Sequence, residues 1–172
     1  LLFKNLGFEL DRGEVLWVRG GNGHGKTSLL RILCGLSVPA AGWVNWRDQP
    51  IKTVHEQYGR EMAYVGHANG IKDDLTPMEN LRIAAALDGR VLDDAVATAA
   101  LGQAGLSRCV DLPARVLSFG QRRRVALAGL VAAGALLWIP DEPLTGLDAA
   151  GVARVEPMIR DYDVAGGLVV TT

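Results

Sequence analysis

Short apolar runs bounded by glycine, proline or charged residues recur along the chain, and segments with helical spacing follow most of them. The runs predict strands at 15–18, 43–46, 62–65, 136–140 and 168–172. Helices are predicted after the glycine-rich stretch 20–27, at 77–87, at 93–104, from 117 onward and at 148–162. Strands that alternate with helices form parallel sheets, so the pattern predicts an α/β fold.

The pattern also indicates how the domain is organised. Residues 67–115 contain helical patterns and no apolar strand, which predicts a helical insert within a single domain. Residues 1–66 and 116–172 then form the core that carries the strands. The chain begins inside a strand-like alternation at 1–10 and stops on an apolar strand, so we expect a domain that is incomplete at both ends.

Composition narrows the class of protein. The 172 residues are 49% hydrophobic and 22% charged, as in an ordinary globular domain with a core. The net charge of -1 gives no sign of a chain that coats nucleic acid or an anionic membrane. Cys34 and Cys109 have no metal-binding spacing and fit a reduced protein in which both lie in the core. No apolar run reaches the roughly 20 residues of a spanning helix.

The glycine-rich stretch between the first strand and the first helix predicts a phosphate-binding loop. It fits G-x-x-x-x-G-K-[ST] at every fixed position. Glycines let backbone N–H groups turn toward an anion, and the helix N-terminus adds a positive partial charge. Lys26 brings a full charge to the β and γ phosphates, and Thr27 offers its hydroxyl to Mg²⁺. The alternative is a glycine-rich turn that only caps a helix. The residues expected to contact the nucleotide are Gly20, Gly21, Asn22, Gly23, His24, Gly25, Lys26, Thr27 and Ser28.

Two adjacent acids follow the apolar run "LLWIP". The carboxyl ends of strands are the edge at which open α/β sheets collect ligands. Asp141 therefore suits a hold on Mg²⁺ through water, and Glu142 suits a general base that orients the attacking water. Without the phosphate loop, the same acids are equally typical of a helix start.

Two further motifs identify a family. "LSFGQ" (117–121) precedes a helix between the phosphate loop and the acids, and "LTGLD" (144–148) follows the acids. In this order the motifs resemble the nucleotide-binding domain of ATP-binding cassette (ABC) proteins, whose signature is L-S-G-G-Q. The resemblance implies a P-loop NTPase fold with a mostly parallel, RecA-like core sheet and an inserted helical subdomain. It also implies ATP hydrolysis with Mg²⁺ as cofactor.

The resemblance further implies a second ABC ATPase domain, here a homodimer packed head to tail. Residues of one domain then contact the ATP on the phosphate loop of the other: Ser118, Gly120, Gln121 and Asp148. Taken alone, Ser118 is also typical of a plain helix N-cap.

His67 gains a role from the same resemblance. Counted back from "LTPMENL" (75–81), it falls where the family's Q-loop glutamine touches Mg²⁺ and the attacking water. Imidazole can replace an amide as hydrogen-bond donor or acceptor. We therefore expect His67 to act in catalysis beside Glu142 and at the metal beside Thr27 and Asp141.

The chain departs from the family pattern at several positions. Phe119 replaces a small residue, so its ring is expected to point away from a closing partner. Pro140 lies in a predicted central strand, where it costs the ladder a hydrogen bond or bends the strand and thereby affects the position of Asp141. The family's adenine-stacking aromatic residue and switch histidine are expected before Leu1 and after Thr172, outside the chain.

The histidine at position 67, followed by "GIK" and "LTPMENL", resembles the ATP-binding subunits of the haem exporter of cytochrome c maturation, the CcmA group. The likeness extends to "QAGL" (103–106), "RRVALA" (123–128) and "DAAGVARV" (148–155). It implies transmembrane permease subunits of cytochrome c maturation as partners and a peripheral place on the cytoplasmic side of the inner membrane. The family's hydrolysis releases a haem-loaded chaperone or exports haem.

Three other readings fit the residues. The chain is compatible with the ATPase subunit of another ABC importer or exporter, with a soluble ABC module that acts on ribosomes or DNA repair, and with a catalytically impaired ABC fragment. The soluble modules usually carry tandem cassettes or long coiled coils, for which 172 residues leave no room. The three arginines at 122–124 raise nucleic acid as a partner, but no aromatic platform accompanies them, so none is expected.

Overall fold

The computed structural model describes residues 2–172 and contains two sheets and a series of helices. In chain order the elements are β1 (Val15–Trp17), α1 (Lys26–Leu33), β2 (Asn45–Trp46), β3 (Gln49–Pro50), α2 (His55–Glu61), β4 (Met62–Val65), α3 (Pro77–Leu87), α4 (Asp94–Gln103), a short 3-10 helix (Ala114–Val116), α5 (Phe119–Ala133), β5 (Leu137–Pro140), α6 (Ala149–Val164) and β6 (Leu168–Thr171).

The main sheet has the strand order β1-β6-β5-β4, and every neighbouring pair is parallel. All residues of β5 and β6 are buried, as expected for strands covered on both faces by helices. Because the strands are parallel, the loops after β1, β4 and β5 leave the sheet at one edge. The predicted α/β fold with a parallel core sheet is confirmed.

Helix starts follow the capping residues that the sequence indicates. Thr76 and Glu79 form a reciprocal capping box ahead of α3, with Pro77 in the first turn. Asp93 and Asp148 are the N-caps of α4 and α6, and each accepts backbone N–H bonds from the first turn. Local side-chain chemistry therefore sets these boundaries, and the predicted helices agree with the structure within about two residues.

The helical insert has its own core. Helices α3 and α4 pack on α5 through small and branched apolar residues. The fully buried members are Ala97, Ala100, Leu101, Ala104, Leu106, Ala114, Val125 and Ala128. The sheet packs against the other side of α5 through Leu127 and Leu130. Helix α5 is thus shared by both parts, and the domain boundaries drawn at residues 66 and 116 stay a prediction.

Two predictions about local structure were wrong. Residues 3–10 contain no strand, because no other strand of residues 2–172 runs beside the alternation to hydrogen-bond it. The polar segment 47–61, which was expected to be only a link between two strands, contains β3 and α2. The β2–β3 turn uses Arg47 and Asp48 with positive φ angles of 49° and 64°, which replace the glycine and asparagine that usually signal such a turn.

Pro140 remains in the central strand β5, and the structure shows how the strand accommodates it. The Pro140 carbonyl points toward β6 and accepts the Thr171 hydroxyl at 2.9 Å. The next backbone N–H, that of Asp141, points the other way and donates to the Val65 carbonyl at 2.8 Å. The proline therefore leaves its missing N–H on the β6 side, and the ladder that carries Asp141 along β4 is kept.

Candidate nucleotide site

The glycine loop joins β1 to α1. Gly23 and Gly25 have φ angles of 79° and 89°, a backbone region that favours glycine, and Gly25 is the N-cap of α1. The Lys26 ammonium donates to the carbonyls of Gly20 and Gly21 at 2.9 and 3.2 Å, so it lies over the mouth of the loop. The first turn of α1 contains no acidic residue, and its positive end is free of competing carboxylates.

The His24 side chain folds back over the same loop. A Cβ built on Gly21 would lie 3.2 Å from the His24 Cε1 atom, so the imidazole lies against the loop backbone. Asn22, Gly23 and His24 are exposed, as a loop that receives a ligand requires. The loop therefore presents backbone N–H groups, one ammonium group and one imidazole to the same space.

Asp141 joins the phosphate loop to the end of the sheet. Its side chain is 1% exposed, and each carboxylate oxygen accepts one hydroxyl hydrogen bond. Thr27 donates to Oδ2 at 2.8 Å, and Thr172 donates to Oδ1 at 2.8 Å. A hydroxyl oxygen and a carboxylate held side by side are the hard oxygen donors that Mg²⁺ prefers, so these two residues fit the ion.

Glu142 has an unusual backbone conformation. Its φ angle is 50°, in the left-handed region that non-glycine residues adopt at an energetic cost of about 1–3 kcal/mol. Its backbone N–H donates to the Thr172 hydroxyl at 2.8 Å, and its carboxylate accepts from Thr145 at 3.3 Å. The strained turn aims the side chain, which is 35% exposed, away from the buried Asp141.

His67 faces Glu142 from the neighbouring loop. Its Nδ1 atom lies 3.7 Å from Glu142 Oε2, beyond direct hydrogen-bond length but within reach of a bridging water. Among residues 2–172, the polar contacts of His67 involve Glu142 and neither Thr27 nor Asp141. The structure thus brings together the two expected catalytic residues, whereas a role for His67 at the metal stays a prediction.

Sequence reasoning missed Arg123. The arginine run 122–124 was considered as a surface for nucleic acid, but Arg123 is only 2% exposed. It shares the buried face of α5 with Leu127 and Leu130, and that spacing of four and three residues was the available signal. Burial lowers the pKa of Arg123, and the Asp141 and Glu142 carboxylates oppose that shift.

The signature segment lies at the start of α5. Ser118 and Gln121 form a capping box, in which Gln121 N–H donates to Ser118 Oγ at 3.1 Å and Ser118 N–H donates to Gln121 Oε1 at 2.8 Å. The Phe119 ring is packed over Gly146, where an added Cβ would clash with it, and Gly120 approaches the Gly146 carbonyl. The signature therefore contacts the loop before Asp148 in its own chain.

The signature segment and the phosphate loop of the same chain are not joined by these hydrogen bonds. The hydrogen bonds of Ser118 and Gln121 in residues 2–172 stay within the capping box and reach Cys109, while Asp148 accepts from Gly151 N–H at 2.7 Å. None of these bonds involves residues 20–28.

Both cysteines are free thiols, and burial raises the pKa of the Cys34 thiol to about 12.

In residues 2–172 no helix combines the length and apolar character needed to cross a membrane. The same residues contain no cluster of three or more His, Cys, Asp or Glu side chains that could hold a metal ion.

Comparisons with known proteins place these features in context. Residues 3–145 match the family model described as ABC transporter. The chain is 52% identical over 171 residues to the cytochrome c biogenesis ATP-binding export protein CcmA of Nitrosomonas europaea, covering 99% of this chain and 80% of that protein. It is 44% identical to the protein of the same name, numbered 1, from Salmonella typhimurium, with 99% and 81% covered.

Solved structures give the same fold. An ATP-binding subunit of an ABC transporter superposes with a TM-score of 0.85 at 26% identity, covering 99% of this chain and 72% of that one. A dimeric ATP-binding cassette in a post-hydrolysis state with ADP and phosphate superposes with a TM-score of 0.84 at 22% identity, covering 99% and 78%. The second likeness concerns the fold alone.

Proposed function

The chain belongs to the ABC transporter family of ATP-binding subunits, and from this premise we propose that it hydrolyses ATP for a membrane complex of cytochrome c biogenesis. The work coupled to hydrolysis is haem export or the release of a haem-loaded chaperone. The observation that carries the ATPase part is the contact of Thr27, in the phosphate loop, with the buried Asp141 that directly precedes Glu142. The names of relatives 44–52% identical over nearly the whole chain support the cytochrome c part.

In the proposed reaction, water attacks the terminal phosphorus of ATP while the bond from that phosphorus to the ADP oxygen breaks. Glu142 accepts the proton of the attacking water, and His67 contacts and orients the same water. Lys26 and the N–H groups of the glycine loop neutralise negative charge on the phosphates. Because Glu142 and His67 face each other 3.7 Å apart, one water can contact both side chains.

A magnesium ion, which the family implies, fits the donors present. Thr27 and Asp141 supply a hydroxyl and a carboxylate held 2.8 Å apart, and Mg²⁺ usually takes one or two such protein ligands. When bound, the ion neutralises phosphate charge. In the proposal, Thr27 and Asp141 would hold the ion at the end of the phosphate loop.

We further infer that a second copy of the chain completes the site. The signature residues Ser118, Gly120 and Gln121, together with Asp148, have their hydrogen-bond contacts away from the phosphate loop of their own chain. In a head-to-tail pair, the N-terminus of α5 would point its positive end at the ATP of the partner. The exposed Phe119 ring, held against Gly146, leaves the backbone N–H of Gly120 for that contact.

Mixed dimers test the shared site. A chain with Lys26→Ala and a chain with Ser118→Arg should each be inactive alone, because every site then contains one defective half. When the two are combined, a dimer of one chain of each kind has one site with both halves intact. We expect ATP turnover to return to about one quarter of wild type, since half of the randomly formed dimers have one working site of two. No recovery on mixing would contradict a site built from two chains.

The membrane partners are proposed to be the transmembrane subunits of the same complex, reached from the cytoplasmic side of the inner membrane. Two exposed apolar side chains support docking through the helical insert: Leu87, the last residue of α3, is 82% exposed, and Val91, in the segment between α3 and α4, is 100% exposed. The loop at His67 joins β4 to this insert. Docking there would link ATP-driven closure to the membrane subunits.

Loss of the gene tests the cytochrome c role. We expect cells that lack this protein to lose haem-containing c-type cytochromes, measured by haem staining and reduced absorption spectra. The wild-type gene should restore them, and a gene encoding Glu142→Gln should not. As a control, b-type cytochromes should be unchanged, because haem synthesis itself is not affected. Normal c-type cytochromes in the deletion strain would favour another ABC transporter function.

A further inference from the structure

Arg123 lies buried at the sheet edge that carries the proposed catalytic residues. Its guanidinium donates to four oxygens that belong to two loops. Nη1 reaches the Gly66 carbonyl at 2.8 Å and the Asn69 side-chain oxygen at 3.1 Å. Nη2 reaches the carbonyls of Asp141 and Glu142, the latter at 3.0 Å. One side chain therefore joins the loop after β4 to the loop after β5.

The two loops are those that place His67 and Glu142. Gly66 and Asn69 flank His67 in sequence, and the Asp141 and Glu142 carbonyls flank the backbone of the strained residue. The guanidinium is planar and rigid, so its two nitrogen atoms fix the separation of the groups that they bind. The two terminal nitrogen atoms of the Arg123 guanidinium thereby constrain the distance between His67 and Glu142.

Burying an arginine side chain is energetically unfavourable, which argues against a purely structural role for this bridge. Moving its charge out of water is unfavourable, and all four of its hydrogen-bond partners are neutral oxygens rather than carboxylates. Its neighbours on the same face of α5, Leu127 and Leu130, fill the core with apolar side chains. The contacts of Arg123 instead stabilise the left-handed turn at Glu142, a conformation that persists only when its surroundings hold it.

We propose that Arg123 is a positioning residue for ATP hydrolysis, which holds His67 and Glu142 at the spacing that both need to contact one water. The inference rests on the proposed function. It adds a residue that touches neither nucleotide nor water and acts through the backbone of the two loops.

The substitution Arg123→Lys tests whether the guanidinium bridge between the two loops is needed for hydrolysis. Lysine keeps the charge and an apolar stem but ends in one compact ammonium, which cannot span four oxygens on two loops. We expect kcat to fall by about 10- to 100-fold, the usual cost of a misplacement near 1 Å. The KM for ATP and the ATP-induced rise in melting temperature should stay near wild type, because the phosphate loop is not touched.

Arg124→Lys is the matched control. The Arg124 guanidinium also donates to two carbonyls, those of Ala104 at 2.6 Å and Gly105 at 3.2 Å, but these follow α4 in the helical insert. Its replacement removes two hydrogen bonds from the same helix, away from both catalytic loops. We expect a lower melting temperature for both variants and a near wild-type kcat for Arg124→Lys only.

A double-mutant cycle with His67→Gln separates positioning from general destabilisation. If Arg123 acts by placing His67 opposite Glu142, then His67→Gln should change kcat by a smaller factor in the Arg123→Lys protein than in wild type. Factors that simply multiply would overturn the proposal, as would a wild-type kcat for Arg123→Lys. If Arg123→Lys does not fold, Asn69→Ala removes one of the four contacts, and an unchanged kcat in that variant overturns the proposal too. No turnover in the unsubstituted protein would instead refute the proposed function.

Discussion

Glu142→Gln is expected to abolish ATP turnover while leaving ATP binding intact. Glutamine has the same shape and tolerates the φ angle of 50° no better and no worse than glutamate, so the strained turn should be unchanged. An amide, however, cannot accept the proton of the attacking water. General bases contribute about 10²- to 10⁴-fold to rate, and kcat should fall by that factor.

Binding and turnover are measured on the same samples. ATP should still raise the melting temperature of Glu142→Gln as much as it raises that of wild type, because the nucleotide stabilises only the folded state. Glu56→Gln is the matched control, since Glu56 is an exposed residue of α2 outside the site. Turnover of Glu142→Gln within a few-fold of wild type would remove Glu142 from the role of base and leave His67 as the next candidate.

The fold could be predicted where local chemistry decides it. The capping pair Thr76 and Glu79 and the N-caps Asp93 and Asp148 have short-range partners, so their helices were located within about two residues. The apolar runs at β5 and β6 predicted strands, and the structure buries every residue of both. Helix α2 was missed because it has only seven residues and one buried side chain, Tyr58, too little for a helical period to show.

The part of the site that depends on long-range contacts was harder to predict. The glycine-rich motif predicted the phosphate loop. The two threonines that donate hydrogen bonds to Asp141, however, are Thr27 and Thr172, which lie far apart in the sequence. The burial of Arg123 depends on how α5 docks on the sheet, and the strained φ of Glu142 depends on Arg123 and Thr172 together. Residue types indicate which chemistry is present, whereas tertiary packing decides which atoms meet.

Pro140 and Phe119 show that a departure from a family pattern needs a physical test. The proline's missing N–H lies on the β6 side, where the Thr171 hydroxyl binds the proline carbonyl, so Asp141 keeps its bond to β4. The Phe119 ring packs over Gly146, where the absence of a side chain leaves space for it. Each exception therefore has a local partner that accommodates it.

Lys26→Ala should weaken nucleotide binding strongly, and ATP turnover should fall with it. The ammonium lies over the loop mouth on the carbonyls of Gly20 and Gly21, where it would meet the phosphates of ATP as the only full positive charge of residues 20–28. Hydrogen bonds to charged groups contribute about 1.5–3 kcal/mol, which corresponds to roughly 10- to 150-fold in affinity. The two carbonyls also lose their donor, which loosens the loop further.

Lys26→Ala should therefore lower ATP binding, whereas Glu142→Gln should lower turnover and keep ATP binding. For Lys26→Ala we expect a much smaller ATP-induced rise in melting temperature at ATP concentrations that just saturate wild type, whereas Glu142→Gln keeps the full rise. Lys52→Ala serves as the control, because Lys52 is an exposed lysine in the link between β3 and α2. An unchanged thermal shift for Lys26→Ala would mean that the glycine loop and the dipole of α1 hold the phosphates without the lysine. The charge would then act only on the transition state, and the loss would fall on kcat alone.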